Sequence, residues 1–236
     1  MREKVRQTLH AARIGAADCL FCHACELPYS KASEQPLPDF VRERVDVLHF
    51  RSRARIYAED TAGEFVYSLR SGLVKLEQQS RSGRSRILRL AMPGCTLGLE
   101  LLIGGRYRHT AQVLRTAELC RIPLSLVRDL RDTSRDFRDS LQRQMQNALD
   151  AADFQIAQLS TGSSHARIAR LLLHLAPEGM PDPRRWILRE DMAALLGVTL
   201  ETVSRTIADM KRRGVIEEHG HTFKFRRSDL ERLADN

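Results

Sequence analysis

The stretch "LREDMAALLGVTLETVSRTIADMKRRGVIE", Leu188 to Glu217, decides how the rest of the chain is to be read. "REDMAALLG" reads as a short helix that Gly197 stops. Thr199 is placed to cap a second helix, its hydroxyl accepting one of the backbone N–H groups that the first turn leaves free. Helix, tight glycine turn, helix is the helix-turn-helix pattern. The second helix sorts by face. Leu200, Val203, Ile207 and Met210 are expected to pack inward. Glu201, Ser204, Arg205 and Ala208 recur at i, i+3, i+4 and i+7 on the opposite side.

That outer face carries a guanidinium fork, a carboxylate acceptor and a hydroxyl close to a helix N-terminus. These are the groups that a recognition helix presents to base edges. Arg bonds guanine O6 and N7 together, and Glu accepts from cytosine N4. Lys211, Arg212 and Arg213 follow as candidates for phosphate neutralisation. The bulk numbers point the same way. The chain has 236 residues, a formal net charge of +8 and 42 % hydrophobic content. It is long enough for a core, and basic enough to favour a polyanionic partner.

Upstream of the reader, "STGSS" (Ser160–Ser164) marks a hinge, and the loop with Pro177, Pro181 and Pro183 precedes the helix pair. Downstream, "GVIEEHGHTFKFRRSDLERLADN" suggests a hairpin and a last helix. From Ser125 to Ser160 there is neither proline nor glycine. Phe137, Leu141, Met145, Ala148, Ala152, Ile156 and Leu159 recur at steps of four and three, which is a helical seam. One long helix with one narrow apolar stripe calls for a partner, and a two-fold homodimer through it is the economical answer. Its alternative is a stripe packed on the chain's own β-domain. Asp150 and Asp153 lie near this seam.

From about Val45 to Pro123 short apolar runs alternate with glycine-bearing turns at Gly63, Gly72, Gly83, Gly94 and Gly98, the texture of a compact all-β barrel or sandwich. Ahead of it lies a polar leader, followed by the connector "KASEQPLPD". The expected divisions are therefore a leader over 1–40, a β-roll over 41–124, a dimerisation helix over 125–160 and a DNA-binding domain over 161–236.

The leader holds "DCLFCHACELP", with Cys19, Cys22 and Cys25 among the chain's five cysteines. The N-terminus "MREKVRQTLH" lacks the apolar run of a secretory signal, and no stretch is apolar for long enough to span a membrane. A cytoplasmic setting, with reduced thiols, is the expectation, and metal binding or redox chemistry suits an odd cysteine count better than disulfides. Cys-x2-Cys-x2-Cys offers three thiolates from one loop, as iron–sulfur sites require. It is also half of many zinc sites. Direct thiol oxidation is a third reading, in which His23, Arg13 and nearby bases favour the thiolate. Cys19–His23 also spells the c-type haem pattern, which belongs to compartments outside the cytoplasm.

"LLGVTL" followed by Glu201-Thr-Val-Ser204-Arg205 resembles the helix-turn-helix of the cyclic-AMP receptor and fumarate–nitrate reduction regulator (CRP/FNR) family, and the similarity extends to the order of parts along nearly the whole chain. It implies an α+β fold: an N-terminal β-roll of the cyclic-nucleotide-binding-like jelly-roll type, a long dimerisation helix and a C-terminal winged helix-turn-helix. In the oxygen-responsive branch, Glu-x-x-Ser-Arg reads a TTGAT inverted repeat in double-stranded DNA. The resemblance therefore implies DNA contacts at Glu201, Ser204 and Arg205, with Thr199, Lys211 and Arg212 beside them, and RNA polymerase as a further partner. That branch also has a cysteine before an Ile-Pro at the end of its β-roll. This makes Cys120 the implied fourth ligand, beside Cys19, Cys22 and Cys25, of an iron–sulfur cluster of [4Fe-4S] type, one that aerobic purification can remove. The even, tight spacing of the three leader cysteines departs from the best-known members, whose last leader ligand lies further on. Cys95 has no counterpart among those ligands.

Members that bind cyclic AMP use Gly-Glu-Leu followed by Arg-Ser or Arg-Thr. Here "LGLELLIGGRYRHTA" puts Leu99 at the glutamate position and His109-Thr110 at the arginine position. The phosphate of a nucleotide would lose its bidentate cation, and Arg106 or Arg108 would replace it only if the loop shifts. Another small-molecule effector in the β-roll stays open as an alternative to the cysteine sensor. No Ser/His/Asp arrangement, phosphate-binding glycine loop or paired carboxylate motif is present, so a non-enzymatic regulator is expected.

Overall fold

The computed structural model describes residues 11–16, 39–79, 85–176, 187–219 and 222–235. The cysteine stretch, residues 19–25, lies outside the described residues. The chain folds as two units, one from Met1–Gln78 and Arg89–Ala151, the other from Gln79–Leu88 and Ala152–Asn236.

The N-terminal half of the chain is built on a seven-stranded antiparallel sheet. Its strands are β1 (Ala11–Ala16), β2 (Asp46–Phe50), β3 (Arg55–Tyr57), β4 (Phe65–Gln79), β5 (Ser85–Ala91), β6 (Thr96–Leu97) and β7 (Thr110–Pro123). The order is β1-β2-β7-β4-β5, with β3 also on β7 and β6 also on β4. Two short helices, α1 (Asp39–Arg42) and α2 (Leu101–Gly104), lie between strands. The order of elements matches the β-domain expected from the sequence, with one addition: β1, which was read as part of a polar leader.

Two long strands do most of the pairing. β7 meets β2 and β3 on one edge and β4 on the other. Gly72, expected at a turn, instead lies in the middle of the 15-residue β4. The β4–β7 register slips on both sides of it, between Leu69 and Val74. Its φ is +98°, and a Cβ there would lie 2.5 Å from the Thr116 carbonyl oxygen and 2.6 Å from Ala117. Only glycine supplies that bulge without strain. The sheet core includes Phe50, Leu69, Leu76, Leu97 and Leu119, all essentially inaccessible. Tyr57 stacks on Tyr107 at 3.8 Å between centroids with 8° between planes. The Tyr107 hydroxyl donates to the Phe65 carbonyl at 2.7 Å.

The single long helix expected over 125–160 is broken. α3 (Leu124–Thr133) ends at Ser134, whose backbone is extended (φ −119°, ψ 122°). α4 (Arg135–Phe154) then starts afresh, and the Ser134 hydroxyl accepts from the Phe137 N–H at 3.3 Å. Serine ends one helix here by capping the next, which needs neither proline nor glycine. A π-helical turn, Gln155–Leu159, follows α4.

The second unit contains α5 (Ser164–Leu175), α6 (Arg189–Leu196), α7 (Leu200–Arg212), the hairpin β8 (Ile216–His219) and β9 (Thr222–Phe225), and α8 (Arg227–Ala234). Helices α5, α6 and α7 bury Ile168, Leu171, Met192, Leu195, Val203, Ile207 and Met210. No helix among the described residues is long and apolar enough to cross a membrane.

Candidate functional site

The reader is built from short-range instructions. Gly197 ends α6 in the left-handed conformation, φ 67°, and its N–H returns to the Ala193 carbonyl. Two residues later the Thr199 hydroxyl accepts from the Thr202 N–H at 3.1 Å, which starts α7. The cap read from the sequence is thus present, and it occupies the Thr199 oxygen.

On α7 the buried set is Val203, Thr206, Ile207 and Met210. Leu200, expected inside, is 45 % exposed. It is the first residue of the helix, and the i, i+3, i+4, i+7 stripe begins at Val203 instead. Thr206 takes the inner place because its hydroxyl has a partner: it lies 2.9 Å from the Ser164 hydroxyl of α5. A second brace joins the same helices, His165 Nε2 to Asp209 Oδ2 at 3.0 Å. Glu201, Arg205 and Ala208 are exposed, with Ser204 half-buried among them; Thr206 lies on the far side of the helix, while Asp209 follows Arg205 at i+4. The three chemical positions therefore share one outward face in the first turns of a braced helix.

Support reaches the reader from the π-helical turn. Gln155, 8 % exposed, donates its amide N–H to the Leu195 carbonyl at 2.7 Å. Arg167 donates to the Leu196 carbonyl at 3.2 Å. Both tie off carbonyls in the last turn of α6, which the helix itself leaves unpaired. Nothing in the sequence pattern announces these two contacts, because they link residues 29 to 40 positions apart.

The expected dimer seam divides. Phe137 and Leu141 are 2 % and 5 % exposed and belong to the core of their own β-roll. Leu159 is buried too. Met145 and Ile156 are exposed, as is Leu149, which the spacing had not singled out. Ala148 and Ala152 are half-buried, and the Ala148 carbonyl accepts from Arg89 Nη1 at 2.9 Å. The stripe is thus shared between intrachain packing at its ends and solvent in its middle.

Cys120 lies on β7 and is 2 % exposed. Its register neighbours are Val47 on β2 and Ser68 on β4. Val47 in turn pairs with Gly15 on β1, and Ser68 with Thr96 on β6. One row therefore runs Gly15–Val47–Cys120–Ser68–Thr96. At about 4.8 Å per strand, Gly15 is roughly 10 Å from Cys120. β1 ends at Ala16, three residues before Cys19. Cys95 precedes Thr96 on the far side of the row, four strands from β1, and is half-buried against the core. Among the described residues no group of three or more His, Cys, Asp or Glu could hold a metal.

The nucleotide-type position of the roll is occupied by its own side chains. Leu99 is buried. The Glu100 carboxylate accepts from the Arg108 N–H at 3.2 Å and lies 3.8 Å from His109 Nδ1. Burial pushes Glu100 up, but the His109 ring and the backbone N–H donors outweigh it and hold the carboxyl below its usual range. Arg106, a possible compensating cation, is exposed and turned to Asp60.

A β-roll followed by helices and a winged helix-turn-helix defines a DNA-binding transcription regulator with a cyclic-nucleotide-binding-type domain. Comparison with known proteins agrees. Residues 47–134 match the cyclic nucleotide-binding domain and residues 166–235 the Crp-like helix-turn-helix domain. The regulatory protein HlyX of Actinobacillus pleuropneumoniae is 28 % identical over 170 residues, covering 70 % of this chain and 71 % of that one. The anaerobic regulatory protein of Haemophilus influenzae is 27 % identical over 215 residues, covering 88 % and 82 %. The structure of FixK2 from Bradyrhizobium japonicum superposes with a TM-score of 0.70 at 26 % identity, over 80 % of this chain and 96 % of that one. The chain belongs to the CRP/FNR family, which consists of transcription regulators.

Proposed function

We propose that this chain is a cytoplasmic, homodimeric regulator of the FNR-like branch, whose DNA binding responds to oxygen or redox state through an iron–sulfur cluster held by Cys19, Cys22, Cys25 and Cys120. The observation that carries this reading is the Gly15–Val47–Cys120 row. It brings the strand leading into the cysteine loop within two strands of the buried Cys120 thiol. The donor set fits: four thiolates are the usual ligands of a [4Fe-4S] cluster. The relatives named as anaerobic regulatory proteins support the same branch.

When bound, such a cluster supplies a link that oxidants break. The chain's own part is mechanical. With the leader thiols tied to Cys120, the leader is anchored to β7, the strand that runs directly into α3. The exposed Met145, Leu149 and Ile156 then offer the middle of the seam to a second copy. Asp150 and Asp153, both exposed beside it, add like-charge repulsion that keeps pairing marginal and so switchable. Pairing sets two α7 helices about 34 Å apart, one turn of DNA. Glu201, Ser204 and Arg205 read a TTGAT-type half-site, with Thr199 and Arg212 towards the backbone and Lys211 beside them, held by Glu218. RNA polymerase is the partner that the family implies.

The test is Cys120→Ser, purified without air. The expected result is loss of iron, labile sulfide and visible absorption, together with loss of binding to TTGAT-repeat DNA. Wild-type-like iron and sulfide in the variant would remove Cys120 from the ligand set. Wild-type protein that contains neither element, yet selects its operator, would end the cluster reading altogether.

A further inference from the structure

The charged side chains around the reader are arranged in a way that base reading does not use. Four cations border α7: Arg189 at the start of α6, Lys211 and Arg212 in the last turn of α7, and Arg213 just after it. Each is engaged by a carboxylate of the same unit. Glu218, on β8 of the wing, uses both of its oxygens. Oε1 accepts from Arg189 Nη2 at 2.9 Å and Oε2 from Lys211 Nζ at 2.8 Å. Asp209 accepts from Arg212 Nη2 at 2.9 Å and lies 3.7 Å from Arg213 Nη1.

Four cations and two carboxylates present a formal +2 where the cations alone would present +4. The Glu218 side chain is 23 % exposed, and its cations 42 % each. Ion pairs at this exposure add little to folding stability. Their effect on DNA is larger, because sequence-independent binding consists of neutralising phosphates. The Lys211 hydrogen bond is the largest influence on the Glu218 carboxyl. Burial opposes it and Arg189 reinforces it, and the carboxyl stays below its usual range, charged at neutral pH. Asp209 has a second task, the brace to His165. On α7 Glu218 engages only Lys211, in the last turn, so its charge can be removed without touching Glu201, Ser204 or Arg205.

We propose that Glu218 sets the non-specific DNA affinity of this regulator: by holding Lys211 and Arg189 it withholds them from phosphate and leaves selection to Glu201, Ser204 and Arg205. A regulator must find its operator among a great excess of other sites, and lowering the sequence-independent contribution lowers that competition. This inference rests on the reading of α7 as the DNA reader.

The test uses the full chain purified without air, wild type and Glu218→Gln, and two labelled duplexes. One carries the TTGAT inverted repeat and the other is scrambled. Anisotropy is followed over a range of salt concentrations. On scrambled DNA, Glu218→Gln is expected to bind more tightly and to steepen the slope of log K against log salt by about 0.9 for each cation released. Lys211→Gln alone is expected to leave the wild-type slope almost unchanged, and in the Glu218→Gln background to take back about 0.9 of the gain per subunit. An unchanged slope and scrambled-DNA affinity in Glu218→Gln overturn the inference. So does weaker binding to both duplexes, which would make Glu218 a positioning residue. So does a Lys211→Gln effect of full size in the wild-type background. If wild-type protein fails to prefer the repeat, the DNA reading itself falls, and the two failures are thus distinguished.

Discussion

Helix α7 and strand β7 are of nearly equal length, 13 and 14 residues, and each carries a candidate for function. They hold it in opposite ways. α7 turns Glu201 and Arg205 to solvent and packs through a separate stripe, Val203, Thr206, Ile207 and Met210. β7 buries Cys120 between Val47 and Ser68, where the thiol is part of the core. The contrast teaches which functions can be changed alone. On α7, chemistry and packing occupy different faces, so a substitution can remove one and spare the other. On β7 the proposed ligand Cys120 is itself part of the core, so a substitution there also changes the packing.

The largest expected effect probes the β7 side of this contrast without touching Cys120. Gly72→Ala sets a Cβ against Thr116 and Ala117 at a positive φ. It should destabilise the β-roll by about 2–4 kcal/mol, as strained backbone substitutions do. Thermal or denaturant unfolding checks this, and a wild-type midpoint would show that the bulge relaxes freely. The next effect belongs to α7. Arg205→Ala should cost about 1–3 kcal/mol of operator binding and relax preference at one base pair of each half-site, with the melting temperature unchanged. Equal loss on every sequence, or a lowered melting point, would blur the separation of faces.

The smallest effect is a pH dependence confined to the second unit. His174 stacks on Phe154 at 4.4 Å, and burial holds its pKa below the ordinary histidine value. The unfolded chain therefore binds that proton more readily, and stability rises with pH wherever the unfolded state holds more protons. Acidification through about 6.5, the unfolded value, should lower the melting temperature of this unit. His174→Phe should remove that part of the slope. An unchanged slope in the variant would assign the pH dependence elsewhere.

Much of the fold was legible because its signals are local. Gly197 and Thr199 mark the turn and the cap within three residues, and the glycine-punctuated runs from Val45 to Pro123 hold every strand of the sheet except β1. Ser134 was equally local but was passed over, since a helix was assumed to need proline or glycine to break. Leu200 is expected inside because hydropathy ranks it so, and Thr206, which the pattern does not single out, takes the buried place instead. The exchange makes sense only when the Ser164 hydroxyl is seen to satisfy Thr206. Gly72 looked like a turn because a bulge in a long strand and a turn between two short ones share the same residue.

Spacing and side-chain chemistry determined by themselves that a charged helix face follows a glycine turn, and that three thiols fall within seven residues, since both depend on residues a few positions apart. The tertiary structure alone decided that Phe137 and Leu141 pack into the β-roll, that Gly15 and Cys120 stand two strands apart in one row, and that Glu218 engages Arg189 and Lys211. Those outcomes depend on strand register and helix packing, which join residues far apart in the chain and leave no period along it.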